Sequence, residues 1–245
     1  MDHQWADAPL QSTKFFMRVL VSEYPKSGGN WVVGLIGDAL GLAKRDLYHT
    51  GSESFDLRKH PWYAGASDFG FKGPCVIKSH EYPTSRFVQF SARHIHLVRD
   101  GRDVVVSKYF FERDFCVANG IYEKFEESFD AYVPRVAAEW NDFVLSWLNV
   151  DVLCLKYEDF LRSPLGTLEC ALLSLGIEVS QTSLSAAVSN NTKEKIQASL
   201  TSLFPKGTFV RKGESGDWRN HFQQRHLDAF KGAAKEAMDL LGYDW

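Results

Sequence analysis

The sequence predicts an α/β fold with a central parallel β-sheet flanked by helices on both faces, in one domain covering residues 1–245. Three observations carry this reading. Short, buried-looking apolar runs alternate with stretches of helical period. Strand-to-helix turns are marked by Gly28-Gly29 and by Asp100-Gly101. No internal repeat, low-complexity stretch or linker divides the chain.

The elements follow in order. Residues 15–21 (Phe-Phe-Met-Arg-Val-Leu-Val) form an apolar run that ends at Tyr24-Pro25, and a helix is expected from Trp31 to Leu42, where Trp31, Leu35, Ile36, Ala39 and Leu42 recur near helical spacing. A second strand at 74–79 stands between Gly73-Pro74 and the turn-like Glu81-Tyr82-Pro83. A third, Arg93 to Val98, runs into Asp100, which suits the N-cap of a helix over 104–111. A long amphipathic helix is expected over 122–148, with a break at Pro134. A fourth strand covers 151–156, a helix 164–176 closes on Gly176, and further helices cover 181–200 and 223–241. Between the last two lies a basic, Gly-rich loop, Phe209 to Phe222.

Composition narrows the function. Hydrophobic residues make 44% and charged residues 24%, ordinary for a chain with a proper core, while the 14% aromatic share predicts a large core or a flat apolar pocket. The net charge of −3 offers no global basic field for nucleic acid or an anionic membrane, so any polyanionic ligand needs a local cluster of cations and N–H groups. Cys75, Cys116, Cys154 and Cys170 lie far apart without a CxxC pair and read as buried free thiols of a reducing compartment. The N-terminus has no basic region followed by an apolar stretch, and no run approaches the length of a membrane span, so a soluble cytoplasmic protein is expected.

Three loops could hold phosphate. Tyr24-Pro25-Lys26-Ser27-Gly28-Gly29-Asn30-Trp31 joins a strand to a helix; its glycines let successive N–H groups converge, the helix start adds partial positive charge, and Lys26 adds a full one. The loop is P-loop-like in logic, but its lysine precedes the glycines, so it is not a Walker A motif. Arg99 and Ser107 follow the third strand, at the same edge of a parallel sheet, where an Arg–Asp cluster pinning the helix start is the competing explanation. Arg211-Lys212-Gly213 could close as a flap over anionic oxygens.

Together these pieces resemble the family of sulfotransferases that use 3′-phosphoadenosine-5′-phosphosulfate (PAPS), of the cytosolic or bacterial small-molecule type. Residues 24–31 resemble its 5′-phosphosulfate loop, Val98 to Ser107 its 3′-phosphate strand and helix, and Tyr157-Glu158-Asp159 its YED element. Arg211-Lys212-Gly213 with Gly216-Asp217-Trp218-Arg219-Asn220-His221-Phe222 resembles its RKGxxGDWKNxF signature. The resemblance implies that Lys26 touches the leaving phosphate, that N–H groups of Ser27, Gly28, Gly29 and Asn30 surround the 5′-phosphate, and that Trp31 and Tyr157 line the adenine. Arg99, Ser107, Arg211, Lys212 and the N–H of Gly213 would hold the 3′-phosphate. Lys78-Ser79-His80 resembles the family's K-T-H, which implies His80 as catalytic base with Lys78 and Lys26 stabilising developing charge.

The implied reaction is in-line transfer of a sulfuryl group from PAPS to a hydroxyl, less often an amine, of a small-molecule acceptor, with 3′-phosphoadenosine-5′-phosphate (PAP) as product. No metal is demanded, because the leaving group is already a stable anion. His94 and His96, which share a strand face, have no third ligand nearby. The competing readings are a small-molecule kinase and a catalytically silent nucleotide-binding protein.

Three departures from the family pattern stand out. Gly29-Asn30 replaces the usual Thr-Thr, and residues 189–193 lack the aromatic often found near the adenine. The family's dimer signature is poorly matched from Arg219 to Asp228, so a monomer or weak dimer is expected. Residues 43–72 and 112–121 are expected to be acceptor loops, with Trp62, Tyr63, Phe69, Phe71, Tyr82, Phe110, Phe111 and Phe115 as candidate pocket aromatics.

Overall fold

In the computed structural model, which describes residues 17–46, 73–83, 93–203, 206 and 210–245, the apolar run at the start becomes β1 (Arg18–Glu23). It is followed by α1 (Gly29–Leu40), β2 (Ala43–Asp46), β3 (Cys75–Ser79), β4 (Arg93–Val98) and α2 (Gly101–Phe110). Then come α3 (Phe129–Leu148), β5 (Leu153–Lys156), α4 (Tyr157–Arg162), α5 (Pro164–Ser174), α6 (Gln181–Asn190), α7 (Lys193–Leu203) and α8 (Gln224–Leu240). The five strands lie in the order β2-β3-β1-β4-β5, every pair parallel. Carboxyl ends of all strands therefore meet at one edge, as expected from the sequence.

Strand alternation divides the core. Val19 and Val21 face one layer, with Val76, Ile95 and Leu97, against Leu35 and Ile36 of α1 and Leu168 of α5. Leu20 faces the other, with Ile77 and Val98, against Trp140 and Trp147 of α3 and Phe230 of α8. Both layers are closed to water, which is why the strands read as apolar runs.

Several boundaries differ from expectation, each for a local reason. α1 begins at Gly29 and ends at Leu40, because Gly41 takes a left-handed conformation (φ 63°) and Leu42 N–H bonds back to Gly37 O. The expected stop at Gly176 (φ 69°) holds: Gly176 N–H donates to Leu173 O and Ile177 N–H to Leu172 O, a Schellman closure. The long helix begins only at Phe129, where the Ser128 side chain accepts from Ala131 N–H. It runs through Pro134 unbroken, since the carbonyl this proline deprives belongs to Asp130 in the first turn. The helix expected over 181–200 is split at Asn191-Thr192, where Asn191 clamps α6 to α1 by donating to Asp38 Oδ2 at 2.7 Å and Ala187 O at 2.8 Å. Residues 43–46, expected in a loop, form edge strand β2, and 111–116 continue α2 as a π-helical turn. All four cysteines are free, but only Cys75 and Cys116 are buried; Cys154, on edge strand β5, and Cys170 are exposed.

His94 and His96 are core residues. Both rings pack on Trp147, with centroids 4.6 and 5.7 Å away. His94 Nε2 lies 2.9 Å from Ser22 Oγ, and His96 Nδ1 donates to Ser22 O at 3.2 Å. Desolvation lowers His94 to about 4 and His96 to about 3, so both are neutral in the folded chain. Below about pH 6.5 the unfolded chain takes up these protons first, so stability should fall with falling pH until the folded-state values are reached. His96→Asn, which keeps a donor for Ser22 O, should reduce that slope by up to about 1.4 kcal/mol per pH unit in urea unfolding at pH 6.5 and 5. An unchanged slope would assign the acid sensitivity to other groups.

Candidate active site

At the carboxyl edge of the sheet, the ends of β1, β3, β4 and β5 and the loop before residue 217 surround a cavity of about 360 Å³. Its wall includes Lys26, Gly28, Gly29, Asn30, Trp31, Lys78, His80, Arg99, Ser107, Tyr157, Arg211, Lys212 and Gly213. Of the residues singled out from the sequence as catalytic or cofactor-binding, only Ser27 is outside this wall.

The loop after β1 is tightly wound. Lys26 adopts φ 79° and Gly28 φ 105°, left-handed values that cost a side-chain-bearing residue roughly 1–3 kcal/mol. Arg99 donates to Lys26 O at 3.1 Å and holds that turn. A Cβ on Gly28 would stand 2.4 Å from the Tyr157 ring, so glycine is required there by both conformation and space. The N–H groups are not all available to a ligand: Ser27 N–H donates to Tyr24 O at 3.1 Å and Gly29 N–H to Glu23 Oε2 at 2.6 Å.

The Lys26 residue is half-buried, yet its ammonium is enclosed by protein, 4.0 Å from the Phe111 ring centroid. Desolvation lowers its pKa to about 7, opposed chiefly by the Glu23 charge. Lys78, buried at the end of β3, donates to Asn30 Oδ1 at 2.9 Å. The amide that replaces a family threonine thus positions the second lysine. His80 is buried, and its Nδ1 lies 2.9 Å from Glu23 O. A carbonyl only accepts, so Nδ1 carries the proton and Nε2 is the basic nitrogen.

At the other end of the cavity, Arg99 stacks over the Tyr157 ring at 4.6 Å and also donates to Glu214 O at 2.8 Å. The Arg–Asp cluster weighed against a ligand role exists, but it belongs to Arg102, which pairs with Asp100 at 2.7 Å and leaves Arg99 on the cavity wall. Asp100 caps α2 as expected, accepting from Arg102 N–H at 2.9 Å. Arg211 and Lys212 both pair with the buried Asp217. Burial alone would raise the Asp217 carboxyl, but its bonds to Lys212, Asn220 and Arg211 hold it well below the usual carboxylate range. Asp103 fastens this loop to α2 by accepting from Gly216 N–H at 2.6 Å and Trp218 N–H at 2.9 Å.

Sequence reasoning missed Glu23, Lys108, Glu112 and Asn191, all on the cavity wall. Lys108 and Glu112 form a buried i,i+4 pair, and Tyr132 donates to Glu112 Oε2 at 2.6 Å. Spacing alone could have suggested that pair. Of the candidate pocket aromatics, Phe111 lines the cavity with Phe115 stacked behind it at 4.9 Å. Tyr82 is exposed and packs on Phe143, and Phe110 packs on His221. Trp62, Tyr63, Phe69 and Phe71 lie outside the described residues.

The profile of a family described as "Sulfotransferase domain" matches residues 17–242. The chain belongs to the sulfotransferase family. Sulfotransferase 2A6 of Rattus norvegicus is 31% identical over 248 residues, covering 90% of this chain and 84% of that protein. The 3-alpha-hydroxysteroid sulfotransferase of Cavia porcellus is 30% identical over 239 residues, covering 88% and 81%. Among solved structures, mouse sulfotransferase SULT7A1 complexed with PAP aligns with TM-score 0.68 at 20% identity, over 95% of this chain and 85% of that one. Retinol dehydratase with androsterone and inactive cofactor PAP aligns with TM-score 0.63 at 16% identity, over 94% and 82%. These two share the fold. The sulfotransferase cavity also fits its family's donor on its own terms: Ser27 Oγ, Arg99 Nε and Arg211 Nε are buried without hydrogen-bond partners among the described residues, and two of the three belong to cavity-lining guanidinium groups.

Proposed function

We propose that this sulfotransferase moves the sulfuryl group of PAPS onto a hydroxyl of a small-molecule acceptor, with His80 as general base. The observation that carries this is the His80 hydrogen bond to Glu23 O, which makes Nε2 the basic nitrogen of a ring on the cavity wall it shares with Lys26 and Lys78. PAPS, when bound, supplies an activated sulfuryl group on a phosphate leaving group. His80 Nε2 takes the acceptor's proton as its oxygen attacks, and Lys26 and Lys78 place positive charge where negative charge builds. Arg99, Ser107, Arg211, Lys212 and Gly213 hold the 3′-phosphate, Trp31 and Tyr157 the adenine, and the loop from Ser27 to Asn30 the 5′-phosphate.

An amine as the less favoured acceptor, a monomeric or weakly dimeric state, a cytoplasmic location and a single domain over residues 1–245 belong to the same reading. The location is supported by the four free cysteines; among the described residues no helix is long and apolar enough to cross a membrane.

Thermal unfolding tests the nucleotide assignment. PAP without magnesium, at ~100 times its dissociation constant, should add about 2.7 kcal/mol and raise the midpoint by several degrees, while ATP should do much less. Equal stabilisation by ATP would favour the kinase reading. Arg211→Ala should mainly raise the KM for PAPS, because it holds a phosphate remote from the reacting sulfur. A fall in kcat at unchanged KM would place Arg211 elsewhere in the mechanism.

A further inference from the structure

Glu23, the last residue of β1, is 3% exposed and folds its carboxylate forward onto the start of α1. There Oε2 accepts the Gly29 N–H at 2.6 Å. Room for it exists only because residue 29 is glycine: a Cβ would stand 2.2 Å from Oε1 and 2.4 Å from Cδ. Glu23 also lines the cavity, and among the charges acting on Lys26 its own is the strongest that keeps the ammonium protonated. It therefore supplies two things that a bound phosphate would supply at this place: an acceptor for an N–H at the helix start and a negative counter-charge for Lys26.

We infer that Glu23 is a resident anion of the cradle, seated on Gly29 N–H and competing there with the 5′-phosphate of PAPS or PAP. The inference rests on the reading of the cavity as the PAPS site and adds a specific cost to filling it. The 5′-phosphate must take over Gly29 N–H and Lys26 from a carboxylate that stays tethered nearby, so like charge opposes binding and favours release of PAP. Gly29 is then the partner substitution that admits Glu23, and the replacement of threonine at this position is explained by the carboxylate rather than by the ligand.

The test compares two probes, PAP and 3′-AMP, which share adenosine and the 3′-phosphate and differ in the 5′-phosphate. Dissociation constants are measured by calorimetry at pH 6.0, below the Lys26 value near 7, for the wild-type chain, Glu23→Gln and Glu23→Thr. The glutamine can still accept from Gly29 N–H but carries no charge; the threonine suits a strand end and vacates the seat. PAP should bind at least roughly tenfold more tightly to whichever variants fold as the wild type does, about 1.4 kcal/mol, with 3′-AMP affinity unchanged within about twofold. Unchanged or weaker PAP binding by folded variants overturns the proposal and leaves Glu23 as a support for the turn. An equal gain for both probes overturns it as well, because the effect would not be located at the 5′-phosphate. Failure of the wild-type chain to bind PAP at all would remove the cavity assignment itself, a result distinct from either of these.

Discussion

Lys26→Ala is expected to lower turnover by roughly 10² or more at saturating PAPS, the scale of losing a preorganised charge at a leaving group. The ammonium's surroundings give the prediction a second, sharper form. Desolvation by the surrounding protein brings Lys26 to about 7, so above that pH much of the enzyme carries a neutral amine. A phosphate beside it favours the charged form and raises its pKa in the complex. Between the two values the complex holds one proton more than its separated parts. Affinity for PAP should therefore fall as pH rises beyond 7, by up to about tenfold per unit. Calorimetry at pH 8 in two buffers of different ionisation enthalpy should show uptake of up to one proton. Affinity that stays level from pH 7 to 9 would mean that Lys26 is fully charged before the ligand arrives.

His80→Ala is expected to cost a similar factor, roughly 10² or more in kcat, with little change in PAP affinity, since its role is toward the acceptor's proton. The measurement is turnover without added divalent metal, on an acceptor found by screening hydroxyl compounds with PAPS. A His80→Ala variant that turns over like the wild type would remove the base from the mechanism. Retained PAP binding without turnover in either protein would instead favour the silent nucleotide-binding reading. His80→Asn sharpens the result: an amide can donate to Glu23 O in place of Nδ1 but offers no basic nitrogen, so it should be no better than alanine.

The parts of this chain that were legible in its sequence are those whose chemistry is local. A strand running into Lys26 and two glycines, an Asp-capped helix after Arg99, and paired cations before Gly213 are each readable within a few residues, and all three reach the cavity wall. Their meeting at one cavity follows from parallel strands sharing an edge. Strand β2 was not legible because Ala-Lys-Arg-Asp has neither apolar content nor alternation; it exists as a border strand paired to β3. The helix break at Asn191 was hidden in a polar stretch whose meaning depends on Asp38, more than a hundred residues earlier. Glu23 escaped for a related reason. In a strand end it looks like one more charged residue, and only the turn of the following loop brings its carboxylate onto Gly29. The serine of the loop adds a detail that only the fold reveals: its N–H closes the turn on Tyr24 O, while its buried Oγ has no partner among the described residues.

The strand order has a consequence for how the chain is made. β1 lies in the middle of the sheet, yet its partners β3 and β4 begin at Cys75 and Arg93, more than fifty and seventy residues later. At a synthesis rate of ~5–20 residues per second, β1 and the loop after it spend several seconds outside the ribosome with both ladder edges open. Pairings of such sequence separation also fold slowly. Arg211 and Lys212 emerge later still, so the pocket is completed only after the scaffold that orients it. A nascent chain halted near residue 200 would hold the whole described sheet with Lys26 and Lys78, but not the two cations that complete the far wall of the cavity.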